Sequence, residues 1–347
     1  MASRKKKILR GVLIAVCVLM ALLLIAFAGA GAYMNYLMSR IPRMEDVSLL
    51  SPSEVQDLLQ TDPDLEPIDP SVSLPDISDV VFPTEPVKPP EKSKNVINIL
   101  LIGQDEIVPG IRPRSDSMIL VTFNTATKAV TFTSFMRDAY VQIPGYSPNK
   151  LNHAYQYGGV ELLNKTLKVN YGVDVDGNME INFDQFKNVI DLLGGVVVDL
   201  DEKEARYLNH LTEWNLPVGR TRLNGEQALV YARLREIDSD YNRTARQREV
   251  LMALAEAYKD RPVTEMFALL DDLMGMVTTN MTNGQMTEYG LRVIPMLAGS
   301  SYNTLQIPAN GTFDQGNAQV RPGLKAWFQY NIDFETNRKI LRRIFED

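Results

Sequence analysis

From Gly11 to Met34 the chain carries no charged side chain and is dominated by Leu, Val, Ile, Ala and Phe. Such a run cannot lie on the surface of a water-soluble domain, and it is long enough to cross a bilayer as a helix. Arg4, Lys5, Lys6, Lys7 and Arg10 precede it, whereas only Arg40 and Arg43 follow closely. By the positive-inside rule, residues 1–10 read as a cytoplasmic tail and 11–34 as a single-pass signal anchor in the cell membrane, with the rest of the chain outside. The apolar stretch exceeds the roughly 7–15 residues of a cleaved signal peptide core. Cys17 follows the bulky Val16 in mid-run, which does not suit a lipoprotein cysteine.

The charge distribution narrows the function classes. The formal net charge is −7, from 36 basic and 43 acidic residues. Residues 1–40 contain basic side chains and no acidic one, so everything after them is strongly acidic. A nucleic-acid binder shows a basic excess on its folded part, and that class is disfavoured. Cys17 is the only cysteine and His153 and His210 the only histidines, which excludes an intramolecular disulfide and a cysteine-based zinc site. A metal here is held mainly by oxygen.

Residues 41–94 read as a spacer. Ten of the 19 prolines fall there, including Pro63, Pro67, Pro70, Pro75, Pro83, Pro86, Pro89 and Pro90, among dispersed acidic residues. That composition favours an extended, disordered chain without a core, holding a domain away from the membrane. Only 53–60 has the pattern of a short helix.

From residue 95 to 347 the pattern is that of one α/β domain, a central mixed sheet flanked by helices. Strands are expected at Val96–Ile102, Met118–Asn124, Ala129–Phe135, Val196–Leu200 and Thr304–Ile307. Helices are expected at Val160–Val169, Phe183–Leu193, Asn224–Ala232, Arg243–Tyr258, Pro262–Met276, Gly284–Leu297 and Phe334–Phe345.

Three successive strands place polar groups near their ends: Asp105 after the first, Asp116 at the start of the second, and Arg137-Asp138 after the third. Ligand groups of α/β proteins gather at the carboxyl ends of strands. Two carboxylates without histidine or cysteine suit a hard cation such as Mg²⁺. Each Asp taken singly is more often a turn former or a helix cap.

Five arginines and no lysine lie between Tyr231 and Arg248: Arg233, Arg235, Arg243, Arg246 and Arg248. The planar guanidinium grips phosphate or carboxylate through two parallel hydrogen bonds, which an ammonium cannot do. A solvated helix face laced with ion pairs is the alternative, since Glu226, Glu236, Asp238, Asp240 and Glu249 are interleaved. Residues two apart share a face only in extended chain. Arg233 and Arg235 can therefore serve one site if the preceding helix stops near Ala232. Arg243 and Gln247, four apart, line one face of the next helix, and Arg246 points elsewhere.

The ordered motifs Asn98–Asp105, Arg114-Ser115-Asp116-Ser117-Met118, Arg137-Asp138, Lys150-Leu151-Asn152-His153-Ala154-Tyr155, Gly194-Gly195-Val196 and Leu223–Leu229 running into Tyr231–Arg235 resemble the LytR-CpsA-Psr family of cell-wall glycopolymer transferases. Arg243 and Arg246-Gln247 complete the set, and the resemblance covers about residues 95–260. It implies a phosphotransferase of Gram-positive bacteria. Such an enzyme moves a phosphate-linked anionic glycopolymer from an undecaprenyl-pyrophosphate carrier to peptidoglycan. It implies Asp105 and Asp116 as ligands of Mg²⁺ (or Mn²⁺). It implies Arg137, Arg233, Arg235, Arg243 and Gln247 as pyrophosphate contacts, with Arg114 as a further one, and Asp105, Asp116, Arg137 and Arg233 as the catalytic group. The carrier's tail is expected in an apolar tunnel that no motif marks.

Three positions depart from the family pattern. Ile107 stands where many members carry an arginine two residues past the first aspartate, and Arg112 or Arg114 is the available substitute. Phe135-Met136 precedes Arg137 where a proline is common. His153 replaces a small or polar residue and reads as a packing or hydrogen-bonding group. A hydrolase acting on the same lipid pyrophosphate uses the same residues with water as acceptor, and a non-catalytic membrane-anchored regulator keeps the arginine pocket but tolerates loss of the metal pair, so both stay open.

Overall fold

The computed structural model describes residues 33 to 346 except 34, 45–46, 61, 63, 70, 78–79, 81, 84–92, 105–112, 236, 238–239, 259–260, 263–264, 266–271, 274, 298 and 322. The anchor expected at 11–34 lies outside the described residues but for Tyr33, as do Asp105, Ile107 and Arg112 and most of the helix expected at Pro262–Met276. Among the described residues no helix is long and apolar enough to cross a membrane.

In chain order the elements are α1 (Pro52–Gln60), β1 (Glu66–Pro67), β2 (Val96–Gln104), β3 (Ser115–Asn124), β4 (Ala129–Phe135), β5 (Tyr140–Val141), β6 (Asn149–Lys150) and α2 (Leu151–Tyr171). They continue with β7 (Gly177–Ile181), α3 (Phe183–Leu192), β8 (Val196–Leu200), α4 (Glu202–Thr212), β9 (Gly219–Leu223), α5 (Gly225–Arg233) and α6 (Asp240–Tyr258). The remainder is β10 (Thr278–Thr279), α7 (Asn283–Leu297), β11 (Ser301–Ile307), β12 (Asp314–Arg321), β13 (Leu324–Tyr330) and α8 (Phe334–Phe345).

The central sheet runs β10-β7-β2-β3-β4-β11 and is mixed: β7 is parallel to β2, β11 is parallel to β4, and the other pairs are antiparallel. Its strands are apolar on both faces, as expected of a sheet covered on both sides. On one face Leu100, Ile102, Met118, Leu120 and Phe135 pack with Leu163 and Leu167 of α2 and Leu341 and Phe345 of α8. On the other, Ile97 and Ile99 meet Met286 of α7, while Ile119, Val121 and Phe132 meet Met296 of α7 and Leu251 of α6. A second core belongs to the two-stranded β8–β9 sheet, which lies outside the central sheet. There Val196, Val198 and Leu223 pack with Ile190 of α3, Leu208 of α4, Ala228 of α5 and Val250 of α6.

The spacer reading is overturned for 41–77. Ile41 and Ile77 are buried, Leu50, Val55 and Leu58 pack against the main core, and Leu65 packs beside Phe328. Pro67 sits in β1 at the edge of a three-stranded sheet with β13 and β12, a position that tolerates a missing N–H. Proline-rich chain cannot make its own core, but its interspersed apolar side chains borrow one. A break in α2 helps. Gly158 and Gly159 leave helical geometry, with φ of −158° and 59°. The Tyr157 carbonyl, freed there, accepts the Leu50 N–H at 2.9 Å. A Cβ on Gly158 would lie 2.5 Å from the end of the Leu49 side chain and 2.8 Å from the Leu162 Cβ, and the positive φ of Gly159 favours glycine there. The packed structure therefore begins well before residue 95.

Candidate active site

The register between β2 and β3 places the first carboxylate. Gly103 pairs with Ser117 and Gln104 with Ser115, which leaves Asp116 as the extra residue of a β-bulge. A bulge bends the strand and re-aims a side chain. Asp116 points at Arg137, whose Nη1 lies 2.5 Å from Oδ1, while Arg235 Nη2 approaches Oδ2 at 3.6 Å. Burial alone would raise the Asp116 pKa, but Arg137, then Arg243 and Arg235, hold it below the usual carboxylate range. The Arg137 pKa is raised, because Asp138, Asp116 and Asp240 outweigh its burial.

Helices α5 and α6 bring in the arginines. Asn224 caps α5 in a reciprocal capping box with Gln227. Gly225 abuts α3 so closely that a Cβ would lie 2.2 Å from the Lys187 carbonyl. The helix runs one residue further than expected: Arg233 is its last residue, and the chain turns extended at Leu234. Arg233 stacks its guanidinium over Phe183 at 4.3 Å, a cation–π contact, and Arg235 lies beyond the turn.

Helix α6 begins at Asp240, three residues earlier than expected, and this supplies a carboxylate the sequence reading did not single out. Asp240 Oδ1 lies 2.8 Å from Arg243 Nη2, 3.8 Å from Arg235 Nε and 3.9 Å from Arg137 Nε. Its i,i+3 spacing to Arg243 was the available signal. Arg243 is 2 % exposed and donates to the Asp116 carbonyl at 3.4 Å. Burial depresses its pKa to about 10 even with Asp240 adjacent. Gln247 accepts from Ser117 Oγ at 2.9 Å and donates to the Ala232 carbonyl at 3.3 Å, tying α6 to β3 and to the end of α5.

Arg246 points elsewhere, as its spacing implied. It bonds Glu204 at 2.6 Å and the Leu234 carbonyl at 3.0 Å. Arg248 is buried, and its Nε and Nη1 have no hydrogen-bond partner. Arg114 does not join the cluster around Asp116. Its Nη1 lies 3.3 Å from Asp62 and 2.9 Å from Asp64.

Arg137, Arg235 and Arg243 thus face Asp116 and Asp240, with Arg233 adding positive charge at the rim. Asp116, Arg233, Arg235, Arg243 and Gln247 line a cavity of about 220 Å³ whose walls are mostly apolar, with Ile119, Phe186, Leu229 and Leu254 among them. A second apolar cavity of about 530 Å³ shares Leu101, Met179 and Leu251 with it as walls and extends to Met38 and Ile41. Glu180, also in the first cavity, was not anticipated. Burial raises its pKa, partly offset by hydrogen bonds from Tyr155 at 2.6 Å and Gln104 at 3.2 Å.

The oxygen donors fit a hard cation. Asp116 and Asp240 share Arg137, Arg235 and Arg243 as partners, and the buried Oδ2 of Asp240 has no hydrogen-bond partner, while Asp105 lies outside the described residues. Among the described residues no group of three or more His, Cys, Asp or Glu forms a ready-made metal site.

Comparison with known proteins gives concordant matches. A model of the LytR_cpsA_psr family matches residues 75–329. The regulatory protein MsrR of Staphylococcus aureus (strain COL) is 32% identical over 235 residues, covering 67% of this chain and 70% of that protein. The polyisoprenyl-teichoic acid–peptidoglycan teichoic acid transferase TagT of Bacillus subtilis (strain 168) is 37% identical over 198 residues, covering 54% of this chain and 61% of that protein. A solved structure of the LytR-CPS2A-psr family protein YwtF (TagT) with bound octaprenyl pyrophosphate lipid superposes with a TM-score of 0.55 at 27% identity, covering 80% of this chain and all of that one.

Proposed function

The chain belongs to the LytR_cpsA_psr family, and on that premise we propose that it is a phosphotransferase that moves a phosphate-linked anionic glycopolymer from a polyprenyl-pyrophosphate carrier to peptidoglycan. The observation that carries this reading is the arginine–aspartate cluster set over the mouth of an apolar cavity. Guanidiniums hold the pyrophosphate, and the apolar space behind them takes the prenyl chain. The matched relative TagT is named as a teichoic acid transferase, and a TagT structure holds octaprenyl pyrophosphate. The apolar run 11–34 would keep the protein in the membrane that carries such a donor.

In the proposed reaction an acceptor sugar hydroxyl attacks the glycan-side phosphorus. The bond from that phosphorus to the bridging oxygen breaks, the lipid phosphate leaves, and a phosphodiester links polymer to peptidoglycan. Phosphoryl transfer needs chiefly positioning and charge neutralisation. Arg137, Arg233, Arg235, Arg243 and Gln247 supply both, and the Arg243 position on α6 is fixed by Asp240. Arg137, Arg243 and Arg235 hold the Asp116 pKa down, and either Asp105 or Asp116 is the candidate acceptor of the hydroxyl proton. Asp105 and Asp116 would hold Mg²⁺ or Mn²⁺, which supplies further charge neutralisation on the pyrophosphate when bound.

Transfer is measured in vitro with a defined polyprenyl-pyrophosphate-linked donor and peptidoglycan oligomers, with and without Mg²⁺. Polymer joined to peptidoglycan by phosphodiester supports the reading. Release of free polymer phosphate at the same rate without acceptor indicates a hydrolase, and binding without turnover indicates a regulator.

A further inference from the structure

A second charged cluster lies next to the first, and its counter-ions come from an unexpected place. Arg114 precedes β3, Lys150 ends β6 and His153 stands in the first turn of α2. Their side chains are 15 %, 4 % and 3 % exposed, so all three are largely withdrawn from water. Lys150 Nζ lies 3.0 Å from Asp138 Oδ1, the residue after Arg137, but Asp138 is shared with Arg137, whose Nε lies 3.4 Å from its other oxygen. The remaining negative charge is supplied by two residues of the segment between α1 and β1. Asp62 meets Arg114 at 3.3 Å and His153 Nε2 at 3.2 Å, and Asp64 meets Arg114 at 2.9 Å and Lys150 at 3.2 Å.

Buried cations without an anion cost several kcal/mol each, so this pocket must always be occupied by negative charge. The carboxylates that occupy it arrive from far away in the chain, two residues apart, and put their oxygens on a single Arg114 nitrogen. Two such oxygens around one guanidinium nitrogen, with an ammonium and an imidazole beside them, reproduce how a single tetrahedral oxyanion would be held. Burial holds His153 neutral, so its Nε2–H serves as a hydrogen-bond donor rather than a third charge. The pocket is also reachable. Asp62 and Lys150 both line a cavity of about 840 Å³ between the α1 segment and the β5–β6 turn.

We propose that Arg114, Lys150 and His153 form a phosphate subsite, separate from the pyrophosphate cluster, and that Asp62 and Asp64 occupy it until a phosphate group of the ligand displaces them. The link Lys150–Asp138–Arg137 sets it beside the reacting centre. Resting on the transfer reading for the ligand's identity, the subsite takes a phosphodiester of the anionic polymer beyond the pyrophosphate. Displacement couples polymer engagement to release of the segment around Asp62 and Asp64. A donor with a neutral glycan would leave that segment in place.

The test is a calorimetric titration of the full-length protein in detergent micelles with inorganic phosphate, then with a short glycerol-phosphate oligomer. All variants carry Arg235→Ala to weaken the pyrophosphate cluster. Relative to that background, Asp62→Asn with Asp64→Asn is expected to tighten phosphate binding by about tenfold, because the internal competitor has lost its charge. Adding Lys150→Gln is expected to abolish the gain. No gain, or a gain that survives Lys150→Gln, overturns the proposal. Acetate binding as tightly as phosphate overturns the phosphate assignment. Should the double variant lose its cooperative thermal transition, Asp64→Asn alone, which keeps Asp62 on His153, is titrated and must show part of the gain. These readouts need no turnover, so they stand or fall apart from the transferase assignment.

Discussion

Arg246 donates to the Leu234 carbonyl at 3.0 Å while its Nε lies 2.6 Å from Glu204. One buried guanidinium therefore ties the chain just past α5 to α4 and so fixes where Arg233 and Arg235 stand. Arg246→Ala would leave the Glu204 carboxylate buried without its cation, holding only the Asp201 N–H, with an expected loss of about 3–5 kcal/mol. Chemical denaturation checks this, and a loss under about 1 kcal/mol would return Arg246 to the status of a surface pair.

The working members of the cluster have the opposite signature. Asp116→Ala and Arg233→Ala are expected to keep a cooperative unfolding transition while transfer falls by about 100-fold or more, the scale of removing preorganised charge from a reacting phosphate. Arg235→Lys is expected to fall between them and the parent, since an ammonium cannot make the bidentate contact. Full transfer by either alanine variant, purified and folded, would remove both residues from the mechanism.

The apolar cavity separates lipid from pyrophosphate recognition. Leu254 lines it from α6. Leu254→Trp is expected to fill the space and weaken polyprenyl-pyrophosphate binding by at least about tenfold, as one or more buried methylenes lose their place. Affinity for inorganic pyrophosphate should be unchanged. Equal loss for both ligands would mean that the substitution disturbs the arginines rather than the tail.

Asp62 makes the packing of the N-terminal segment acid-sensitive. Burial opposes its ionisation, but the hydrogen bond from His153, the Asp64 backbone and Arg114 lower its pKa from 3.8 to about 2. A depressed acid stabilises the folded state fully above its unfolded pKa and loses that contribution as pH falls through the folded one. Urea unfolding of the parent and of Asp62→Asn should therefore differ most above pH 4 and converge towards pH 2. Curves that stay parallel over that range would show that the Asp62 charge contributes no folding energy.

Much of this was readable in the chain. The strand Ala129–Phe135 and the helix Phe334–Phe345 stand at the expected boundaries, because each is bracketed by strong turn or capping signals. Phe183–Leu192 ends one residue short of expectation, where Gly194 and Gly195 both take positive φ. The Arg243–Gln247 pair and the diversion of Arg246 followed from helical spacing alone. Four things did not. The helical turns from Leu151 precede the helix expected at Val160–Val169, and Gly158-Gly159 interrupts α2 between them as a docking break. Strands β7, β12 and β13 mix polar with apolar residues: β7 is flanked on one side only by the two-residue β10, and β12 and β13 cover a small core. Asp240 pairs locally with Arg243, but its place between Arg137 and Arg235 arises only from tertiary approach. The proline-rich segment was judged by whether it could build a core, when the relevant question is whether it can lie on one already built.

The bulge at Asp116 sets a limit on how this domain can vary. On one side of it Met118, Leu120 and Thr122 keep their alternation against Ile102, Leu100 and Asn98. On the other, the chain is out of step by one. Deleting a single residue from β3 would restore a regular ladder and remove the carboxylate that Arg137 meets, while deleting two would shorten the core face. Length polymorphism at this strand is thus disfavoured in steps of one by the Asp116–Arg137 pairing and in steps of two by folding, and insertions and deletions are expected instead in the loops.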